Sequence, residues 1–285
     1  MKQKISDYKL LTKFRLSLLV VFSASIAFIL GSSSFIWQDL LILSLGGFLL
    51  SGAASALNQV LEKDLDKLMT RTAKRPLADG RMDVSEAVLV AGLMSVTGLI
   101  LLAYFNALAA VFGAISLVSY AFVYTPLKRV SPIAVWVGAI PGSLPMVIGW
   151  IAATGSLGPE ALLLFSIQFF WQFPHFWAIA WVAYEDYAKA GFYLLPSKEK
   201  DGRNKSTALQ AIFYALCIVL ISPLPWVLGM TGIISMIVMF LASMVYLWYA
   251  VRLYQKCDKK SALKLMFSSF VYLPVVLITL VIDKL

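Results

Sequence analysis

Residues 48–76 read FLLSGAASALNQVLEKDLDKLMTRTAKRP. An apolar run, Phe48 to Leu57, passes without any turn signal into a dense block of carboxylates and cations, so the helix is expected to continue past its apolar part into the polar zone. Asn58, Glu62 and Asp66 recur every fourth residue. Four residues turn a helix by about 400°, so the three side chains form one slowly drifting stripe with steps of about 6 Å. A stripe of oxygen ligands at the end of a membrane helix is costly to build, and it suits a hard divalent cation such as Mg2+. Arg71 and Arg75 follow one turn further on, and guanidinium forks are the groups a diphosphate needs. The stretch predicts an all-α membrane protein that handles a metal-bound diphosphate at one membrane face.

The rest of the chain fits that reading. Of its 285 residues 60% are hydrophobic and only 14% charged, and its mean hydropathy is +0.83, a composition of polytopic membrane proteins and not of soluble domains. Apolar runs predict spans near 14–31, 36–57, 84–104, 107–124, 132–153, 160–184, 207–229, 232–253 and 263–282, which fill the chain and leave one integral-membrane domain over 1–285. The first run lacks a small-residue cleavage pattern and is read as a retained helix. Every Lys and Arg except Lys284 lies in the N-terminal tail, in the connections at 58–83, 125–131, 185–206 and 254–264, or at Arg252 just before the last of these. The alternate connections carry none. The positive-inside rule then puts the N-terminus and the large loops in the cytoplasm and the C-terminus outside. The net charge of +9 is thereby explained by topology and attraction to anionic lipid, with no nucleic-acid partner implied. Loading one side with nearly all the polar chemistry favours an enzyme over a transporter, which needs access from both sides. Cys217 and Cys257 have neither metal-ligand nor disulfide spacing.

A second constellation lies at 171–191, WQFPHFWAIAWVAYEDYAKAG. It contains the chain's one histidine, His175, after Pro174 in an apolar helix, and the pair Glu185-Asp186 where that helix should end. Pro-interrupted membrane helices with a polar neighbour are places where bundles open for function. A third feature, Tyr124-Thr125-Pro126-Leu127-Lys128-Arg129, is either an interfacial anchor or a cationic lid over a diphosphate. The stretch Lys198 to Lys205 is expected to be a mobile basic loop.

The block Asn58-x-x-x-Glu62-x-Asp64-x-Asp66-x-x-Met69-x-Arg71-Thr72-x-x-x-Arg75-Pro76 resembles the first signature of the UbiA-type intramembrane prenyltransferases. Asp64, Met69-x-Arg71-Thr72 and Arg75 resemble its haem-farnesylating branch, as do Trp171-Gln172-x-Pro174-His175-Phe176 and the Glu185-Asp186-Tyr187 that follows. Glu62 stands where the family usually has Asp, and Thr12-Lys13-Phe14-Arg15 resembles the family's Thr-Lys-Pro-Arg opening of the first helix, with Phe14 for Pro. The resemblance implies a bundle of nine helices around a central cavity in a prokaryotic inner membrane. It implies that Asn58, Glu62, Asp64, Asp66, Glu185 and Asp186 hold Mg2+, and that Arg71, Arg75, Tyr124, Lys128, Arg129 and His175 bind substrates. It also implies transfer of a farnesyl group from farnesyl diphosphate to a vinyl group of haem b, with water addition giving haem O. Haem A synthase or terminal-oxidase assembly proteins are the implied partners. A UbiA-type aromatic prenyltransferase of quinone or lipid biosynthesis is the alternative within the family, and a membrane transporter the alternative outside it.

Overall fold

Helix length sorts the chain into spans and surface pieces. The structure is a computed structural model that describes residues 2–34, 36–196 and 202–285. A polar helix α1 (Lys2–Leu11) precedes the first span α2 (Phe14–Gly31), and α3 (Trp37–Asp66), α4 (Val84–Ala103) and α5 (Ala107–Val118) follow. The fifth helix widens into a π-turn at Ser119–Tyr124 and ends in α6 (Thr125–Leu127). Then come α7 (Ala134–Thr154), α8 (Pro159–Val182), the short α9 (Tyr184–Lys189), α10 (Lys205–Ile221), α11 (Leu224–Val227), α12 (Ile233–Lys256) and α13 (Lys259–Ile282). Among the described residues nine helical stretches are long and apolar enough to cross a membrane, each within a few residues of its predicted span except at the inner end of α3.

That exception matters. α3 has 30 residues, about 45 Å of rise at 1.5 Å per residue, against roughly 30 Å of hydrocarbon. Its last turns therefore stand in the interfacial zone and carry the Asn58–Asp66 stripe with them. The π-turn has a local cause as well. Pro126 has no N–H to donate, and both the backbone N–H and the hydroxyl of Thr125 turn back to the Tyr120 carbonyl. One widened turn of this kind re-aims the side chains that follow it.

Each span packs on the next in chain order, and α13 closes the ring on α2. Two cross-ring pairs, α2 with α7 and α8 with α13, narrow the middle. Gly149 permits the first pair to approach closely: a Cβ there would stand 2.0 Å from the Ala24 carbonyl oxygen, which is impossible for any other residue without separating the helices. Prolines inside α7 free carbonyls that neighbours satisfy, as when Ser116 donates to the oxygen of Pro141, the acceptor that Pro145 leaves without its helical partner. At the end of the bundle away from the α3 tip, Lys284 donates to the carbonyls of Ile29 (2.8 Å) and Ser32 (2.5 Å), and Asp283 accepts the Ser235 N–H. These contacts tie the last residues to the end of the first span and to the start of α12.

Candidate active site

The α3 tip gathers cations from three other places. Asp66 is almost wholly buried, with 1% of its side chain exposed, and Arg75 grips it through one nitrogen, Nη1, at 2.8 and 2.7 Å to the two carboxylate oxygens. Thr72 fixes the loop by donating to the Asp66 carbonyl. One turn earlier, the buried Glu62 carboxylate lies 2.5 Å from Lys128 Nζ. Lys128 is itself buried, under the rings of Tyr124 and Phe192 at 4.9 and 5.2 Å. Tyr124 can lie flat there because Gly138 of α7 offers no Cβ; one would meet the ring at 2.6 Å. One turn earlier again, Asn58 donates to Glu62 (2.9 Å) and to Thr125 (3.1 Å), and its amide oxygen accepts from Lys13 Nζ at 3.1 Å. The three side chains of the stripe thus share one face, and each faces a cation carried by a different element.

Lys13 is the member that sequence reasoning missed as a site residue. It sits between α1 and α2 with φ 45°, a left-handed conformation that costs a non-glycine residue free energy and is kept only when the surroundings impose it. The surroundings here are Gln59, whose amide donates to the carbonyls of Leu10 and Leu11 at 2.9 and 2.8 Å, and the clamp of α1 through Asp7–Arg81 and Tyr8–Glu86. The one signal available beforehand was its place in Thr12-Lys13-Phe14-Arg15. Burial, and then the positive charge of Arg75, lower the Lys13 ammonium to about 7, against the opposing pull of Glu62 and Asp66. Burial likewise lowers Lys128, and Glu62 opposes the shift.

The second motif meets the first at its loop. Asp186 accepts the backbone N–H groups of Thr70 (2.8 Å) and Arg71 (3.1 Å). Burial works against its charge, but those two N–H groups, Thr70 and Lys189 outweigh it and hold the carboxyl at about 2. Arg71 reaches the hydroxyl of Tyr187 and lies over its ring, while Met69 packs with Ala190 and Phe192. Not every predicted ligand joins the stripe. Asp64, two residues or about 200° around the helix from Glu62, is 72% exposed and pairs with Lys67. Glu185 is 73% exposed and pairs with Arg203. His175 lies deeper in the membrane, stacked on Trp171, with Nδ1 2.7 Å from Ser269 of α13. The start of the basic stretch Lys198 to Lys205, residues 198–201, lies outside the described residues.

Among the described residues no three His, Cys, Asp or Glu side chains come together as a ready-made metal site. The donors on offer are two carboxylates and an amide oxygen, all hard, beside a bank of cations. Such a donor set fits a hard divalent cation that is completed by oxygens of an anionic ligand better than one caged by protein alone.

A model of the UbiA prenyltransferase family matches residues 18–273. The protoheme IX farnesyltransferase of Cytophaga hutchinsonii is 46% identical over 286 residues, covering 100% of this chain and 99% of that protein. The protoheme IX farnesyltransferase of Flavobacterium johnsoniae is 46% identical over 286 residues, covering 98% and 94%. Among solved structures, digeranylgeranylglyceryl phosphate synthase superposes with a TM-score of 0.82 at 19% identity, over 99% of this chain and 98% of that one. A UbiA homolog from Archaeoglobus fulgidus bound to GPP and Mg2+ superposes with a TM-score of 0.72 at 14% identity, over 96% and 99%. The two structural likenesses concern the fold.

Proposed function

This chain belongs to the UbiA prenyltransferase family, and from that premise we propose that it transfers the farnesyl group of farnesyl diphosphate to a vinyl group of protohaem IX, with water addition, releasing diphosphate and haem O. The observation that carries the reading is the end-to-end likeness, at 46% identity, to relatives named for that reaction. The α3 tip supplies fitting chemistry. Asn58, Glu62 and Asp66 are the side chains that would hold Mg2+, which when bound adds positive charge to the diphosphate oxygens. Lys13, Arg71, Arg75 and Lys128 are placed to take up the charge that grows on the leaving group as the C–O bond breaks. Three of these cations lie against the stripe, so they are held beside the side chains that would carry the metal. Tyr120, Tyr124 and Tyr187 wall the cluster with aromatic faces, which suit a developing allylic cation and keep water from it. The vinyl carbon supplies the electron pair as the C–O bond to diphosphate breaks, and the cation left beside the porphyrin takes water and releases one proton.

Residues 1–285 act as one domain in this proposal. The α3 tip and the N-terminus face the cytoplasm of a prokaryote's inner membrane, and the C-terminus faces outward. The haem product would pass to a haem A synthase or to oxidase assembly. The test is direct: purified protein in lipid nanodiscs receives labelled farnesyl diphosphate and Mg2+ with either protohaem or a hydroxybenzoate. Label in a more lipophilic haem, with diphosphate released, is the expected result. Label in the hydroxybenzoate alone would sink the proposal.

A further inference from the structure

The two adjacent cations Lys128 and Arg129 diverge. Consecutive residues on a helical turn point about 100° apart. Lys128 turns inward to Glu62, whereas Arg129 is exposed and its side chain makes no ion pair or hydrogen bond among the described residues. It lines a cavity of about 540 Å³ between the α3 tip and the π-turn with α6. The rim is apolar and open: Leu61, Phe122 and Val130 line it and are all exposed. Leu61 and Phe122 stand on spanning stretches, where exposed apolar side chains face lipid, so the mouth opens sideways at the interfacial level. The inner wall is polar, formed by Glu62 and Thr125, the residues that join this space to the α3 cluster.

The contents of the mouth select its occupant. A prenyl diphosphate carries several negative charges on its head and calls for several cations, and four of those lie on the inner cluster: Lys13, Arg71, Arg75 and Lys128. The mouth has one guanidinium, whose planar fork fits a carboxylate or a phosphate, but its single charge matches one carboxylate and leaves a diphosphate underpaired. Its volume lies in the range of sites for drug-sized ligands. Haem is an apolar plate with its propionates on one edge and its vinyl groups on the opposite edge. A propionate held at the mouth points the vinyl edge inward, toward Glu62.

Resting on the farnesyl-transfer reading, we propose that the gap between α3 and α6 is where the haem acceptor enters from the lipid, and that Arg129 pairs with a haem propionate and so selects the acceptor, leaving the donor diphosphate to the inner cluster.

The experiment varies the two substrates separately in nanodiscs, using wild type, Arg129→Leu and Arg129→Lys, with protohaem and with its dimethyl ester. One charge-assisted hydrogen bond sets the expected size: Arg129→Leu raises KM for protohaem about tenfold and changes KM for farnesyl diphosphate less than about twofold. Wild type loses about the same factor when the propionates are esterified, and Arg129→Leu does not distinguish acid from ester. Arg129→Lys, which keeps the charge, falls between. A rise in KM for farnesyl diphosphate as large as that for haem, or equal discrimination against the ester in wild type and Arg129→Leu, overturns the proposal. Should Arg129→Leu not fold, Arg129→Lys and the ester comparison on wild type decide the same question. If wild type farnesylates neither acceptor, the functional reading fails by itself. Optical titration of haem and its ester then still tests Arg129: tighter binding of the acid, lost in Arg129→Leu, upholds the propionate site, and equal binding rejects it.

Discussion

The chain carries two acidic motifs, and they are built in opposite ways. At the α3 tip the acidic and amide side chains are spaced by four, share one face, are buried, and each meets a cation from a different element. At α9 the two carboxylates are consecutive, so they cannot share a face. One stands in solvent with Arg203, and the other binds the backbone of the α3 loop. A buried carboxylate without a partner costs several kcal/mol, so the first motif is stable only because its cations are in place. The second motif needs no such support. The contrast teaches that an Asp- or Glu-rich run is not one kind of object. The first is a store of buried, paired charge, which the proposed function assigns to a metal-bound diphosphate, and the second is chiefly a clasp that holds the store's rim.

The strongest way to break this contrast is to remove a member of the store. Asp66→Ala should lower turnover by about 10³-fold, the upper end for loss of one preorganised electrostatic group. It should also cost about 3 kcal/mol of stability, because Arg75 is left mostly buried without its partner. Initial rates at saturating Mg2+ and thermal unfolding in detergent check both, and turnover within tenfold of wild type would remove the stripe from the chemistry. The clasp should matter less. Asp186→Ala leaves the Thr70 and Arg71 N–H groups without their acceptor, and an expected loss of about 30-fold should come with faster hydrogen exchange across residues 67–76. Loss of rate with unchanged exchange would instead make Asp186 a direct ligand.

Much of this was legible beforehand, for identifiable reasons. Span number and position follow from apolar length alone, because the bilayer admits few alternatives. The i, i+4, i+8 stripe was legible because helix geometry fixes which side chains share a face, and the same geometry already places Asp64 on the other side. Lys13 was not legible as a site residue. Its reach depends on a left-handed residue held by Gln59, 46 positions away along the chain, and no local pattern encodes that. The helix α1 was missed because it is polar and is held by ion pairs to Arg81 and Glu86. The partner of Glu185, Arg203, is 18 positions away along the chain, beyond the reach of any local pattern.

Lys13 sharpens the comparison from the cation side. With its ammonium at about 7, far below the ordinary lysine value, it is charged below neutral pH and loses its proton as pH rises through 7. A charged Lys13 favours the diphosphate, so kcat/KM for farnesyl diphosphate should fall by about tenfold between about pH 6 and 8 and then level off. Lys13→Met should start at the lower value and stay flat over that window. Lys13→Arg, whose guanidinium does not titrate, should stay at the higher value throughout. A fall of equal depth in Lys13→Met would assign the titration to another group.

The smallest expected effect is the most discriminating for the second motif. Glu185 and Asp186 are neighbours with the same charge, and a shared metal-ligand role would make them comparably important. The structure separates them by face: Glu185 is 73% exposed on Arg203, and an exposed ion pair is worth only about 0–1 kcal/mol. Glu185→Gln should therefore change turnover by less than about threefold and leave the Mg2+ concentration for half-maximal rate unchanged. Asp186→Asn, assayed beside it, should lose about tenfold, because an amide oxygen accepts the Thr70 and Arg71 N–H groups more weakly than a carboxylate does. Equal losses, accompanied by a raised Mg2+ requirement in both variants, would mean that α9 turns both carboxylates to the diphosphate during turnover, and the division into store and clasp would then hold for the resting protein alone.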